Sequence, residues 1–204
     1  MGSSYIERFE KAKEIFSKYN GILRCSQANR LGIHSTVLVQ MVDKGILVKE
    51  GRGIYRLADL PPLSNPDFVR VSLSIPNGVI CLISALNFHN LTTQIPYRVY
   101  LSLPRGTKRP QFEHPPLDII WPINKVYSSG IDEHNIDGVP VKIYCKEKTV
   151  ADCFRYRKKI GLSIAIEALK DYLVLHDKNL DKLFRYARVD DVDDVITPYV
   201  RAIV

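Results

Sequence analysis

Between Ser35 and Lys44 the chain carries small and polar side chains at helical spacing: Ser35, Thr36, Val39, Gln40 and Lys44. On one face of a helix these types suit the major groove of DNA. A glutamine pairs bidentately with adenine, serine and threonine reach phosphates or base edges, and a valine packs on a thymine methyl. Further along, Arg52 stands between Gly51 and Gly53. Two glycines let the backbone approach a duplex closely, and the guanidinium between them then reaches phosphate or the minor groove. Lys49 and Arg56 flank that arginine, and Arg24 and Arg30 precede the set as candidates for backbone phosphates. Asp43 and Glu50 lie among these cations and repel phosphate unless they are paired.

Such a set works only if a short helix props the reading helix and a hairpin holds the arginine beside it. The flanking sequence predicts those elements. Tyr5, Phe9, Ala12, Phe16 and Tyr19 recur in steps of three and four, one apolar stripe of a helix over 5–19. Asn20-Gly21 ends it. A short piece at 22–24 and a brief helix from Ser26 to Leu31 follow, closed by Gly32. A third helix runs from Ser35 to Lys44, with Leu38, Met41 and Val42 facing inward and Gly45 as its stop. Residues 46–57 read as two β runs around Gly-Arg-Gly. This order is that of a winged helix-turn-helix. The same order also serves as a protein-interaction module, in which the polar face of the third helix is merely solvated.

Three prolines between Leu60 and Pro66 cannot continue a helix or a central strand. They place a linker at 61–66 between a DNA-binding domain at 1–60 and a larger domain at 67–204. The second segment mixes strand candidates at 68–75, 97–103, 117–121 and 139–144 with helix candidates at 79–90, 148–159, 163–176, 180–186 and 192–204. The expected fold class is therefore α+β: an N-terminal winged helix-turn-helix followed by a larger domain in which helices accompany a mixed sheet.

Net charge is +7 and favours an anionic partner. Residues 1–60 hold ten Lys/Arg against six Asp/Glu, so the smaller segment has the higher density of positive charge. Cys25, Cys81, Cys145 and Cys153 form no CxxC and stand near no histidine at ligand spacing, and the five histidines are scattered. No metal and no cofactor are expected. No apolar run is long enough for a membrane span and no signal peptide is evident, so the expected location is the cytoplasm.

No Gly-rich phosphate loop, GxSxG or HExxH occurs, and an enzyme is not expected. Glu147, Lys148 and Asp152 superficially suggest a nuclease, but the further carboxylate at fixed spacing that a metal needs is missing. The plain reading is a helix with Val150, Ala151 and Phe154 facing a core. Its basic end, Arg155, Arg157, Lys158 and Lys159, suits a helix C-terminus. Arg105, Lys108 and Arg109 form a second basic patch after a strand.

Nearly the whole chain resembles the AbiEi-type antitoxins of abortive-infection (type IV) toxin–antitoxin systems. In the first segment the resemblance rests on GIHSTVLVQMVDKGIL and GRGIYRL. In the second it rests on ISALNFHNLTTQIP, YLSLPRGTKRP, VKIYCKEKTVADCFRYRKKIG and AIEALKDYL with RYARV. The resemblance implies a phage-defence antitoxin whose N-terminal domain represses its own operon at operator DNA, with inverted repeats as the expected site. It also implies a C-terminal domain that counteracts a cognate nucleotidyltransferase-type toxin, without requiring a stable complex. On that reading Arg105, Lys108, Arg109, Arg155, Arg157, Lys158 and Lys159 are the candidate antitoxicity surface, able to meet an acidic partner or an RNA. A ligand-responsive transcriptional regulator without a toxin is the competing reading.

Overall fold

The computed structural model describes residues 3–203, with side chains from Ile6 onward, so the expected place of Tyr5 in the apolar stripe lies outside the described residues. By its contacts the chain forms two compact units: Met1–Pro76 with Asn135–Pro140, and Asn77–His134 with Val141–Val204.

In the first unit, helix α1 (Ser3–Lys18) leads into strand β1 (Ile22–Arg24), helix α2 (Cys25–Arg30) and helix α3 (Ser35–Asp43). Strands β2 (Leu47–Gly51) and β3 (Ile54–Leu57) follow, then helix α4 (Pro66–Ser74). β1 and β2 pair antiparallel with β3, in the order β1-β3-β2. The core is built from Ala12 and Phe16 of α1, Ala28 of α2, Leu38 and Met41 of α3, and Leu23, Leu47, Tyr55 and Leu57 of the sheet. The spacing of Ala12, Phe16, Leu38 and Met41 is what the apolar stripes predict, but Tyr19, expected in the same stripe, lies beyond α1 and is exposed. Asn20 and Gly21 both have positive φ, and that left-handed turn releases α1 into β1.

Residues 68–75, expected as a strand, are instead α4. Their alternation of Phe, Val and Ser suits a strand, but the preceding residues start a helix. The Asn65 side chain accepts the Phe68 N–H at 3.1 Å, Pro66 occupies the first turn and Asp67 adds a favourable charge there. The first unit therefore runs past the expected boundary at 60 and past the expected linker at 61–66, as far as Pro76.

The remaining elements are β4 (Val79–Ile80), α5 (Leu82–Phe88), β5 (Val99–Ser102), β6 (Leu117–Ile120), α6 (Asn124–Tyr127), β7 (Ile131–Ile136) and β8 (Val139–Tyr144). Then come α7 (Lys146–Arg155), α8 (Arg157–Ile160), α9 (Leu162–Leu173), α10 (Leu180–Val189) and α11 (Asp193–Ile203). The strands form a mixed sheet in the order β6-β5-β4-β8-β7. β4 runs antiparallel to β5 and parallel to β8, while β5 and β6 are parallel. β7 and α6 have no counterpart in the sequence-based expectation, and the start of the helix expected over 79–90 is instead β4, with α5 following it. The helix expected over 148–159 breaks at Tyr156 into α7 and α8. The core of the second unit gathers around α7, whose Val150, Ala151, Cys153 and Phe154 meet Leu82 and Leu86 of α5, Leu169 and Tyr172 of α9, and Leu183 of α10.

Candidate nucleic-acid interface

α3 buries Leu38 and Met41 and turns Ser35, Thr36, Val39 and Lys44 outward, with Gln40 half-buried at the edge of the same face. Val39 is 52% exposed, an apolar side chain left open on a polar face. α2 packs under α3 through Ala28 and leaves Arg30 exposed, with Arg24 half-buried at its start. Arg24 donates its backbone N–H to the Gln27 side chain at 3.0 Å, so its main chain fixes the start of α2.

The wing departs from a regular hairpin. Register with β3 shifts between Lys49 and Gly51, a bulge that leaves Glu50 without an opposite residue. Gly53 has a φ of +69°, and its carbonyl accepts the Cys25 N–H at 2.7 Å, tying the wing tip to the start of α2. Lys49 and Arg52 are exposed on this hairpin, while Glu50 is not.

Glu50 is paired twice. Its Oε1 accepts from Arg56 Nε at 2.6 Å, and Arg70 of α4 approaches Oε2 at 3.6 Å. The carboxylate that stood awkwardly in the sequence is thereby neutralised. Arg56 itself is a correction to the expected set of phosphate contacts. Tyr55 and Leu57 face the core, so strand alternation sends Arg56 to the opposite face of the sheet. There it is buried, and its Nη1 donates to the carbonyls of Leu57, Leu60 and Pro61. A guanidinium enclosed in this way holds the wing in shape and does not reach a phosphate. The sequence showed an arginine in a basic hairpin and gave no sign that residues 57–61 fold back across it.

In the second unit Arg105 and Lys108 are exposed in the loop after β5, and Arg109 donates to the carbonyl of Leu117 at 3.3 Å. Lys158 and Lys159 are exposed on α8, and Lys159 meets Asp118 at 2.6 Å. The two basic patches, distant in sequence, thus send Arg109 and Lys159 to neighbouring residues of β6. Arg155 and Arg157 are half-buried and donate to the carbonyls of Asp190 and Phe154, which ties them to the helix ends.

The nuclease-like residues form a closed cluster. Lys148 is fully buried, with Nζ at 2.5 Å from Asp152 and at 3.0 and 3.1 Å from the two oxygens of Asp190. Asp190, from the end of α10, was not singled out by sequence because it lies far along the chain. Burial, and then the neighbouring Asp152, push the Asp190 carboxyl up to about 8 against the lowering effect of Lys148. Glu147 pairs with Lys182 at 3.3 Å and accepts from the buried Tyr172 hydroxyl. Among the described residues, no group of three or more His, Cys, Asp or Glu could hold a metal ion. A buried ammonium between two buried carboxyl groups offers a substrate no approach.

The fold is α+β, and its first unit is of the winged helix-turn-helix class, with α3 as its exposed third helix and β2–β3 as the wing. Residues 10–58, α1 through β3 and about a quarter of the chain, match the family described as transcriptional regulator, AbiEi antitoxin. No curated protein matches the chain. Among the described residues no helix is long and apolar enough to cross a membrane.

Proposed function

We propose that this chain is an antitoxin that represses its own operon by binding operator DNA and that counteracts a nucleotidyltransferase-type toxin. The observation that carries the first half is the exposed polar face of α3 beside a basic wing, in the segment that matches a regulator family. Ser35, Thr36, Val39 and Gln40 face the bases, while Lys44, Lys49 and Arg52 hold phosphates, with Arg24 and Arg30 at the flank. Pairing of Glu50 with Arg56 and Arg70 supports this reading, because it removes the one wing carboxylate that would repel DNA. Binding to the protein's own promoter should weaken as salt rises, since each phosphate contact releases counterions. Replacing Lys44 and Arg52 together by Gln should lower the slope of log K against log salt by about 0.9 per contact. A slope left unchanged would remove both residues from the interface.

The second half rests on the resemblance of the second segment to AbiEi-type antitoxins, and on the exposure of Arg105, Lys108, Arg109, Lys158 and Lys159. Growth during co-expression with the neighbouring toxin tests it. Replacing Arg105, Lys108 and Arg109, or Lys158 and Lys159, by Gln should abolish growth rescue while promoter repression stays intact. Arg155 and Arg157 are left alone because they are half-buried as well as bonded to carbonyls, which makes a folding defect the first consequence of changing them. Full rescue by both groups of variants would exclude this surface. A promoter bound normally, with no toxin at the locus, would favour the regulator without a toxin.

A further inference from the structure

β5 and β6 are parallel, with Val99 opposite Leu117 and Tyr100 opposite Asp118. Just before β5, Ile95 is 89% exposed and Tyr97 is 76% exposed. The guanidinium of Arg98 lies over one face of the Tyr97 ring, 4.4 Å from its centroid, and donates to the Tyr97 hydroxyl. Arg98 also pairs with Asp118 at 3.5 Å, and Lys159 reaches the same carboxylate at 2.6 Å. Arg109 is bonded to the adjoining Leu117. Arg98, stacked on the exposed Tyr97 ring, therefore shares the Asp118 carboxylate with Lys159, and Arg109 is held at the neighbouring residue of the same strand. The charge left over is positive. Arg98, itself held by Asp118, covers one face of the ring and leaves the other toward solvent.

We propose that this edge binds single-stranded RNA, with an unpaired base stacked on the open face of Tyr97 and the adjoining phosphates held by Lys159 and Arg109. The inference rests on the reading of this basic face as a working surface of the second unit. A ring backed by a guanidinium, set among cations, is the arrangement that grips a single strand, because every base offers a π face and every nucleotide a phosphate. A duplex keeps its bases stacked inside and has no face to give to Tyr97. An acidic protein surface would satisfy the cations and leave the ring unused. Single strands in a cell are predominantly RNA, which decides between the two nucleic acids.

The test is fluorescence anisotropy of the full-length protein with a short labelled oligouridine, an RNA duplex of equal length, and an oligothymidine. Tyr97→Ser should weaken oligouridine binding about tenfold, whereas Tyr97→Phe, which keeps the ring, should stay within about twofold of the native protein. Replacing Arg109 and Lys159 by Gln should lower the salt slope by about 0.7 per contact. Tyr97→Ser binding like the native protein, or duplex binding as tight as the single strand, would overturn the proposal. Tighter binding of oligothymidine than of oligouridine would overturn the choice of RNA. Growth rescue measured on the same variants separates the two readings. If Tyr97→Ser binds normally while the Arg109 and Lys159 variant still loses rescue, the RNA assignment falls and the antitoxin surface stands. If RNA binding is lost and rescue persists, the edge binds RNA and has no part in antitoxicity.

Discussion

Replacing Lys148 by Met is expected to destabilise the second unit by about 3–5 kcal/mol, the loss typical when one partner of a buried ion cluster is removed. The ammonium is fully buried and bonds both Asp152 and Asp190. Without it, the carboxyl groups of Asp152 and Asp190 face each other away from water with no cation between them. The single tryptophan, Trp121, follows β6 in the second unit, so its fluorescence during urea unfolding reports on that unit. Replacing Lys148, Asp152 and Asp190 together by apolar residues of similar size should restore most of the stability, since no charge is then stranded. A loss below about 1 kcal/mol in Lys148→Met would show that the cluster is not structural and would reopen a chemical role.

The same cluster sets a pH dependence. The folded Asp190 carboxyl, pushed up to about 8, keeps a proton that the unfolded chain releases near the ordinary carboxyl range. The native state then binds more protons than the unfolded state, so this group's contribution to stability falls as pH rises toward about 8 and is flat above it. Asp190→Asn fixes the neutral form. The stability of the native protein minus that of this variant should therefore decline from about pH 5 to about pH 8. Taking the difference removes other titrations, including that of His89, whose burial lowers its pKa. A difference that rises with pH would contradict the assignment.

The second large effect belongs to Arg56. Arg56→Met is expected to cost about 3 kcal/mol and to abolish promoter binding although the residue touches no DNA. It strands Glu50 with only Arg70 at 3.6 Å, and it frees the carbonyls of Leu57, Leu60 and Pro61 from their donor. By contrast, Arg52→Gln, at an exposed position, should weaken binding through lost phosphate attraction and shift the unfolding curve far less than Arg56→Met does. If Arg56→Met unfolds like the native protein and loses only salt-dependent affinity, Arg56 is a phosphate contact after all.

These residues show how far one-dimensional reading reaches. The stripe Phe9, Ala12, Phe16 and the inward set Leu38, Met41 are local patterns, because a helix repeats every 3.6 residues whatever surrounds it. The exposed face of α3 follows from the same period. Arg52 was legible because a Gly-x-Gly turn exposes what it carries. Arg56 was not, since the chain that covers it comes from beyond the hairpin. Residues 68–75 misled because their alternation spoke for a strand while the Asn-Pro-Asp start before them spoke for a helix, and the start signal won.

By itself, then, the sequence determined the helices of the first unit, the exposed polar face of α3, the basic wing and the burial of the α7 face. Each depends on residues within a few turns of one another. Only the tertiary structure decided the partners of charge: Glu50 with Arg56 and Arg70, Lys148 with Asp190, Lys159 and Arg98 with Asp118. Most of those pairs join distant positions. Coulombic attraction and desolvation act through space, and a sequence records which charges exist without recording which of them will be buried together.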